Sequence, residues 1–375
     1  MSQSKLVKET ELSSVAELPV NGFDHIELYV GNALQAAYYY QHGFGFDLIA
    51  YRGLETGERD RVSYVLKQGQ VYIVLTGSLK PDNEIAEHIR LHGDGVKTIA
   101  LDVQDASSAF STTVARGAKA AMSYQEFNDE NGIFKQASIH TYGTTIHTFV
   151  ERAGYKGSFA PNYKKIKNRP GNPVGLLAID HVVGNVEVGK LSQWVEFYKR
   201  IFGFSVYQEF GAKDISTQYS ALISAVMANK NTSIKLPINE PAKGLRKSQI
   251  QEYLDYYQEP GVQHIAIATE NIIATVSELR KRGIKFLTVP KSYYTALSER
   301  VGKIDENIEE LAELGILVDR ESSGYLLQIF TKPVQDRPTL FFEIIQRKGA
   351  TGFGKGNFKA LFEAIEEEQS KRGNL

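Results

Sequence analysis

The chain of 375 residues has no cysteine, one tryptophan and three methionines. Without a thiol, cysteine nucleophiles, disulfides, thiolate zinc sites and iron–sulfur clusters are excluded. No apolar run approaches 18 residues, so no bilayer-spanning helix and no membrane partner are expected. The formal net charge is −1 with the two signs evenly mixed, which leaves no basic face for nucleic acid. The opening stretch MSQSKLVKETELSSVAELPV lacks the apolar centre of a secretory signal; it reads as a loose polar arm over about residues 1 to 20. A soluble, cytoplasmic protein is the expectation.

What the chain does have is repetition. DHIELYV at 24–30 is echoed by DHVVGNV at 180–186, GVKTIA at 95–100 by GVQHIA at 261–266, and IHTFVER, ending at Arg152, by FFEIIQR, ending at Arg347. Laying the copies together sets His25 against His181, Thr98 against His264 and Thr148 against Glu343. The second half thus holds two histidines and a carboxylate where the first holds one histidine and two threonines. Two imidazoles and one carboxylate, with coordination positions left open, are the pattern of a mononuclear non-haem Fe(II) oxygenase. One iron per chain is expected, and the first half is an internal control.

Each half reads as two modules of order βαβββ, which predicts an α+β fold of two tandem domains, each a pair of modules forming an open barrel. The stretch GYKGSFAPNYKKIKNRPGNPVG has no apolar period and reads as the linker, dividing a domain at 1–155 from a catalytic domain at 156–375. Thr98 to Thr148 spans 50 residues but His264 to Glu343 spans 79, so the last module carries an insertion, placed in SYYTALSERVGKIDENIEELAELGILVDR with a helical pattern at Ile304, Ile308 and Leu311. After the glycine-rich ATGFGKGNF comes FKALFEAIEEEQSKR, with Phe358, Leu361, Phe362 and Ile365 on one face. A terminal helix of that kind, docking over a barrel mouth, is expected to act as a lid.

Strand alternation points His181 and His264 into an enclosed surface. A lone buried histidine is more often a hydrogen-bonded core residue than a ligand, but Glu343 lies inside an apolar strand, where a carboxylate is costly unless paired or bound to a cation. Together the three favour a metal. His88 and His92, spaced i and i+4 in EHIRLH, are expected on the surface, since no acidic general base follows as in a zincin motif. GFGKGNF lacks the Ser or Thr of a phosphate loop, and its glycines read as hinge residues. After residue 155 only His181 and His264 remain, so no histidine is left there for proton transfer. That count weakens an extradiol catechol dioxygenase and favours an oxygenase that activates O2 through a 2-oxo acid.

The blocks IDHVVGNV, KLPINEP, KSQIQEYLDYYQEPGVQHIAIAT, LLQIFTKP, PTLFFEIIQR and GFGKGNFKALFEAIE resemble the 4-hydroxyphenylpyruvate dioxygenases of the vicinal-oxygen-chelate superfamily over nearly the whole chain. The resemblance implies iron ligands at His181, His264 and Glu343. It implies polar pocket residues at Ser224, Asn239, Gln249 and Gln328, and at Gln263, although strand alternation would turn that side chain to the other face. An aromatic wall falls on Phe330, Phe341, Phe353 and Phe358, with Asn357 and Phe362 in the lid. The implied reaction joins 4-hydroxyphenylpyruvate and O2 to give homogentisate and CO2 in tyrosine and phenylalanine catabolism; a homo-oligomer is expected. 4-Hydroxymandelate synthase, on the same fold and triad, and a metal-free binding protein of the superfamily are the alternatives.

Overall fold

The computed structural model describes residues 15–374 apart from 168, 213–215, 218 and 296. In the first half, strands β1 (Val20–Tyr29), β2 (Asp47–Arg52), β3 (Arg61–Gln68), β4 (Val71–Ser78), β5 (Gly95–Val103), β6 (Ala120–Asp129), β7 (Gly132–His140) and β8 (Ile146–Glu151) are joined by helices α1 (Ala33–Phe44), α2 (Glu84–His92) and α3 (Ala106–Ala115). The short β9 (Lys164–Lys165) leads into β10 (Leu176–Asn185), β11 (Ser205–Phe210), β12 (Ala221–Ala228), β13 (Lys235–Ala242), β14 (Gly261–Thr269), β15 (Leu317–Glu321), β16 (Gly324–Phe330) and β17 (Phe341–Lys348). The second-half helices are α4 (Leu191–Phe197), α5 (Gln249–Tyr257), α6 (Ile272–Lys281), α7 (Ser292–Thr295), α8 (Leu297–Val301), α9 (Ile308–Leu314) and α10 (Phe358–Lys371). Local chemistry fixes their ends: Asn32 caps α1 through its side chain, and Gly45, with φ +77°, closes it in the left-handed conformation that glycine adopts without strain.

The strands form two curled half-barrel sheets, ordered β6-β7-β8-β5-β1-β4-β3-β2-β9 and β11-β12-β13-β10-β14-β17-β16-β15. Read in opposite directions, and without β9, the two orders are the same. Registers repeat as well. His25 pairs with Ala100 and Ala100 with Thr148; His181 pairs with Ala266 and Ala266 with Glu343. The irregularities recur too, with breaks at Phe23/His25 and Glu27/Leu28 answered by breaks at Ile179/His181 and Val183/Gly184. The last of each set leaves one unpaired residue on the partner strand, Lys97 in β5 and Gln263 in β14. A bulge of this sort re-aims the extra side chain.

One apolar core runs through both halves, and Phe44 of α1 packs 5.2 Å from Phe342 of β17. Three expectations change. The polar arm over residues 1 to 20 lies outside the described residues up to residue 14. From there on it is pinned: Leu18 is buried, and its amide donates to the carbonyl of Phe202 at 2.8 Å. His88 and His92 are not on the surface but buried between the halves, where His92 stacks on Tyr257 at 4.7 Å. An i, i+4 pair of imidazoles can cover apolar surface as readily as solvent. The proposed insertion also ends early, because LVDRE forms β15, the counterpart of β6, and only the stretch through α7, α8 and α9 is extra.

Candidate metal centre

His181 on β10, His264 on β14 and Glu343 on β17 stand on three neighbouring strands. Their ligand atoms all lie within 4.8 Å of one another, and the three side chains are buried. Oε2 of Glu343 is 3.2 Å from Nε2 of His181 and 3.4 Å from Nε2 of His264. Ligands about 2.1 Å from a common ion at right angles stand about 3 Å apart, so the spacing fits a metal in their midst. Among the described residues no other group of three such side chains converges; in the first half Thr98 and Thr148 occupy the equivalent positions.

The far nitrogens settle which atoms face inward. Nδ1 of His181 is 2.7 Å from a carboxylate oxygen of Asp180, which can only accept, so that nitrogen carries the proton and Nε2 keeps its lone pair for a metal. Nδ1 of His264 is likewise 2.9 Å from the side-chain oxygen of Gln263. Asp180 also accepts from Arg347 at 2.8 Å on each oxygen and from Lys235 at 3.0 Å. Burial pushes the Asp180 carboxyl up, but Arg347 and His181 outweigh it and hold it well below the carboxylate range. Burial likewise opposes ionisation of Glu343, yet the two imidazoles bring its pKa down to about 2. His181 is raised, because Glu343 and Asp180 overcome the effect of burial, whereas burial prevails at His264 and lowers it. Glu343 is thus an anion, and the negative surroundings that favour a proton on His181 equally favour a cation in its place.

A cavity of about 40 Å³ lies beside the triad. Ser224, Asn239, Gln328, Phe330, Phe353 and Phe358, named from the family resemblance, line it, as do Leu361 of the expected lid helix and Phe210 and Val183, which were not named. The other expected residues stand elsewhere. Phe341 stacks on the ring of His264 at 4.9 Å, outside this cavity. Gln249 and Gln263 face an adjoining cavity of about 30 Å³. Gln263 nevertheless reaches His264, because it is the extra residue of the bulge and not part of the regular alternation. Asn357 is fully buried behind Gln328, donating to its side-chain oxygen at 3.3 Å while accepting from Tyr293 at 2.6 Å. Phe362 packs beneath α10 with Phe210, Leu222 and Ile250.

Forty cubic ångströms take about three waters, too few for an aromatic acid, so the cover must move to admit one. That cover is the C-terminal segment. Gly354, with φ +71°, lies so close to Gln328 that a Cβ there would stand 2.3 Å from its side-chain oxygen; glycine supplies both the turn and the clearance. Polar contacts fasten α10 shut: Glu366 accepts from Ser220 at 2.5 Å and Thr217 at 2.7 Å, and Arg372 donates to Glu252 at 2.7 Å. Asp180 and Arg347, missed as functional residues, carried a signal. The same pair recurs in the first half, where Arg152 donates to Asp24 at 2.6 and 2.7 Å.

The Glyoxalase/Bleomycin resistance protein/Dioxygenase superfamily model matches residues 22–135 and 178–329, once in each half. A triple mutant of 4-hydroxymandelate synthase from Streptomyces coelicolor superimposes with a TM-score of 0.84 at 33% identity, covering 94% of this chain and all of that one. The 4-hydroxyphenylpyruvate dioxygenase of Danio rerio is 48% identical over 98% of this chain and 96% of its own. That of Dictyostelium discoideum is 49% identical over 95% of this chain and its own full length. With this identity sustained from end to end around a buried two-histidine, one-carboxylate centre, the chain belongs to the 4-hydroxyphenylpyruvate dioxygenase family.

Proposed function

We propose that the chain converts 4-hydroxyphenylpyruvate and O2 to homogentisate and CO2, using one Fe(II) held by His181, His264 and Glu343. The observation that carries this reading is the asymmetry of the repeat: the complete ligand set stands in the second half alone, within 4.8 Å, in a chain whose relatives at 48–49% identity bear that activity in their names. Held by these three residues, the ion would bind the 2-oxo acid through its carboxylate and keto oxygens and activate O2, the oxidant of both the decarboxylation and the ring hydroxylation.

The chain's own part is orientation and exclusion of water. The side-chain oxygen of Gln328 is taken by Asn357, which leaves its NH2 to address an oxygen of the substrate. Asn239 is tied weakly to Asn185 at 3.4 Å and can turn its oxygen to a phenol hydroxyl, with Ser224 opposite it on the neighbouring strand. Phe330 and Phe353 flank the cavity and confine an aromatic ring. Closure of α10 keeps bulk water from the reacting centre. No histidine beyond the two ligands is needed, since the carboxylate of the substrate leaves as CO2.

The working division is a supporting domain at 1–155 and a catalytic domain at 156–375, the opening residues of the latter, through β9, packing back on the first half. A homo-oligomer in the cytoplasm completes the proposal, and exposed Leu34 and Tyr38 on α1 offer an apolar face for a second copy. Light scattering and imaging of the tagged chain test these two points. One observation favours a second reading, the structural likeness to a hydroxymandelate synthase. Fe(II)-loaded protein given 4-hydroxyphenylpyruvate and O2 separates the two by product mass and retention: homogentisate is expected, and 4-hydroxymandelate as the main product overturns the assignment.

A further inference from the structure

The first half keeps a cavity of about 560 Å³ where the second half has its triad, bounded by His25, Thr98 and Thr148. A half retained only for support would gain by packing such a space with apolar side chains, since close packing stabilises and charged walls must be desolvated. This wall is charged. Arg52 pairs with Glu58, and Arg61 with Glu84 at 3.3 Å. That leaves two opposite charges on the wall with no ion pair among the described residues. Glu27 accepts from the hydroxyls of Thr76 at 2.7 Å and Thr98 at 3.1 Å, filling about half of a carboxylate's accepting capacity. Lys97 donates only to the carbonyl of Thr144 at 2.9 Å, with its ammonium 5.8 Å from the centre of the Tyr29 ring.

The bulge that breaks the pairing of β1 with β5 places these groups together. Glu27 pairs with Thr98 and Leu28 with Val96, so Lys97 is the extra residue and turns to the cavity beside Thr98. Beyond the charges the wall is aromatic, with Phe127, Phe134 and Phe159, the last edge-on to His25 at 5.1 Å. The volume falls in the range of small-molecule sites, and β6 at the sheet edge carries exposed Gln125 at the rim.

We infer that this cavity is a binding site for a zwitterionic α-amino acid with an aromatic side chain, its ammonium at Glu27, its carboxylate at Lys97 and its ring among Phe127, Phe134 and Phe159. An acid and an ammonium, neither in a direct salt bridge although Lys97 lies within electrostatic reach of Glu27 and Glu84 and Glu27 within reach of Arg61, adjoin an aromatic wall and match the three parts of such a molecule. A carboxylate alone would leave Glu27 unmatched, and an amine alone would leave Lys97 unmatched. The site is independent of the metal chemistry of the other half.

Calorimetric titration of the full-length, metal-loaded protein with L-phenylalanine tests the inference, with phenylacetate and phenethylamine as half-ligands. Saturable binding of phenylalanine is expected, weakened about tenfold or more in either half-ligand and in Lys97→Met and Glu27→Gln. Equal binding of phenylacetate, indifference to both substitutions, or no saturation at millimolar concentration overturns it. Photolabelling of the unaltered protein with a diazirine phenylalanine needs no variant. Label in residues 120–140 or 159–163 supports the site, and label confined to residues 353–361 places the ligand in the catalytic half and overturns it.

Discussion

Asp180 holds Nδ1 of His181 at 2.7 Å, and the arrangement is duplicated in the half without a metal site, where Asp24 lies 2.5 Å from Nδ1 of His25. The pairing of an acid with an imidazole therefore belongs to the repeated framework, and the second half adds His264 and Glu343 to it. Asp180→Asn keeps the shape but replaces an anion braced by Arg347 with a neutral amide. Metal affinity should fall about 10- to 100-fold, and the metal-free protein should also melt lower, because Arg347 and Lys235 lose their buried counter-charge. Equilibrium titration with Fe(II) under nitrogen measures it, and undiminished affinity would show that Asp180 serves only the ion pair with Arg347.

The repeat supplies its own control. His181→Ala, His264→Ala and Glu343→Ala should each abolish turnover and most of the metal content, because two ligands remain of three. His25→Ala should leave a stoichiometry of one metal per chain and an unchanged rate. Elemental analysis of the four purified variants decides the matter; two metals per wild-type chain, or a full complement in any triad variant, contradicts the assignment.

Much of this was legible in the sequence, and the reason is local. The repeats, the βαβββ order and the three ligands rest on spacing along single strands, which the chain carries in plain view. Register repeats the expected equivalence of Thr98 with His264 and of Thr148 with Glu343. What escaped depends on distant partners or on broken periodicity. The burial of His88 and His92 is set by Tyr257, more than 160 residues away, and no helical pattern reveals a facing domain. Lys97 and Gln263 face cavities because bulges shift them out of alternation, and a bulge is invisible until both strands are paired. The strand β15 was hidden by the charged residues that surround it, since Asp319 points to the buried side and binds the amide of Gly356 at 2.9 Å.

Burial of His88 carries a pH dependence. Its ring is 5% exposed, neither nitrogen has a partner, and burial, reinforced by nearby His92 and Lys97, lowers its pKa to about 3. The folded state thus keeps it neutral while the unfolded chain takes up a proton below about 6.5, so stability is lost as pH falls from there toward 3. At pH 5 the loss is about 2 kcal/mol for this residue alone, with buried His147, lowered to about 4, adding to it. His88→Leu removes the first contribution and should flatten the decline. Urea unfolding at pH 7.5 and pH 5 gives both slopes; identical acid sensitivity in the two proteins would locate the effect elsewhere.

The C-terminal helix is a lid if opening it changes what O2 does, and a brace if it does not. Phe353, Phe358 and Leu361 close a cavity too small for an aromatic acid, and α10 is fastened by polar contacts, Glu366 to Ser220 in the interior and Arg372 to Glu252 at its edge, that must part for it to open. Deleting residues 354–375 removes the cover but none of the strands that carry His181, His264 and Glu343. The truncated protein should fold and keep its metal, with some loss of stability from the newly exposed Phe210, Leu222 and Ile250. With water admitted, O2 consumption should separate from ring hydroxylation, and the O2 used per homogentisate formed should rise severalfold above one. An oxygen electrode and chromatography on the same samples give that ratio. Glu366→Gln, which loosens one fastening in the intact chain, should move it in the same direction by less, and a ratio unchanged in both would assign α10 to stability alone.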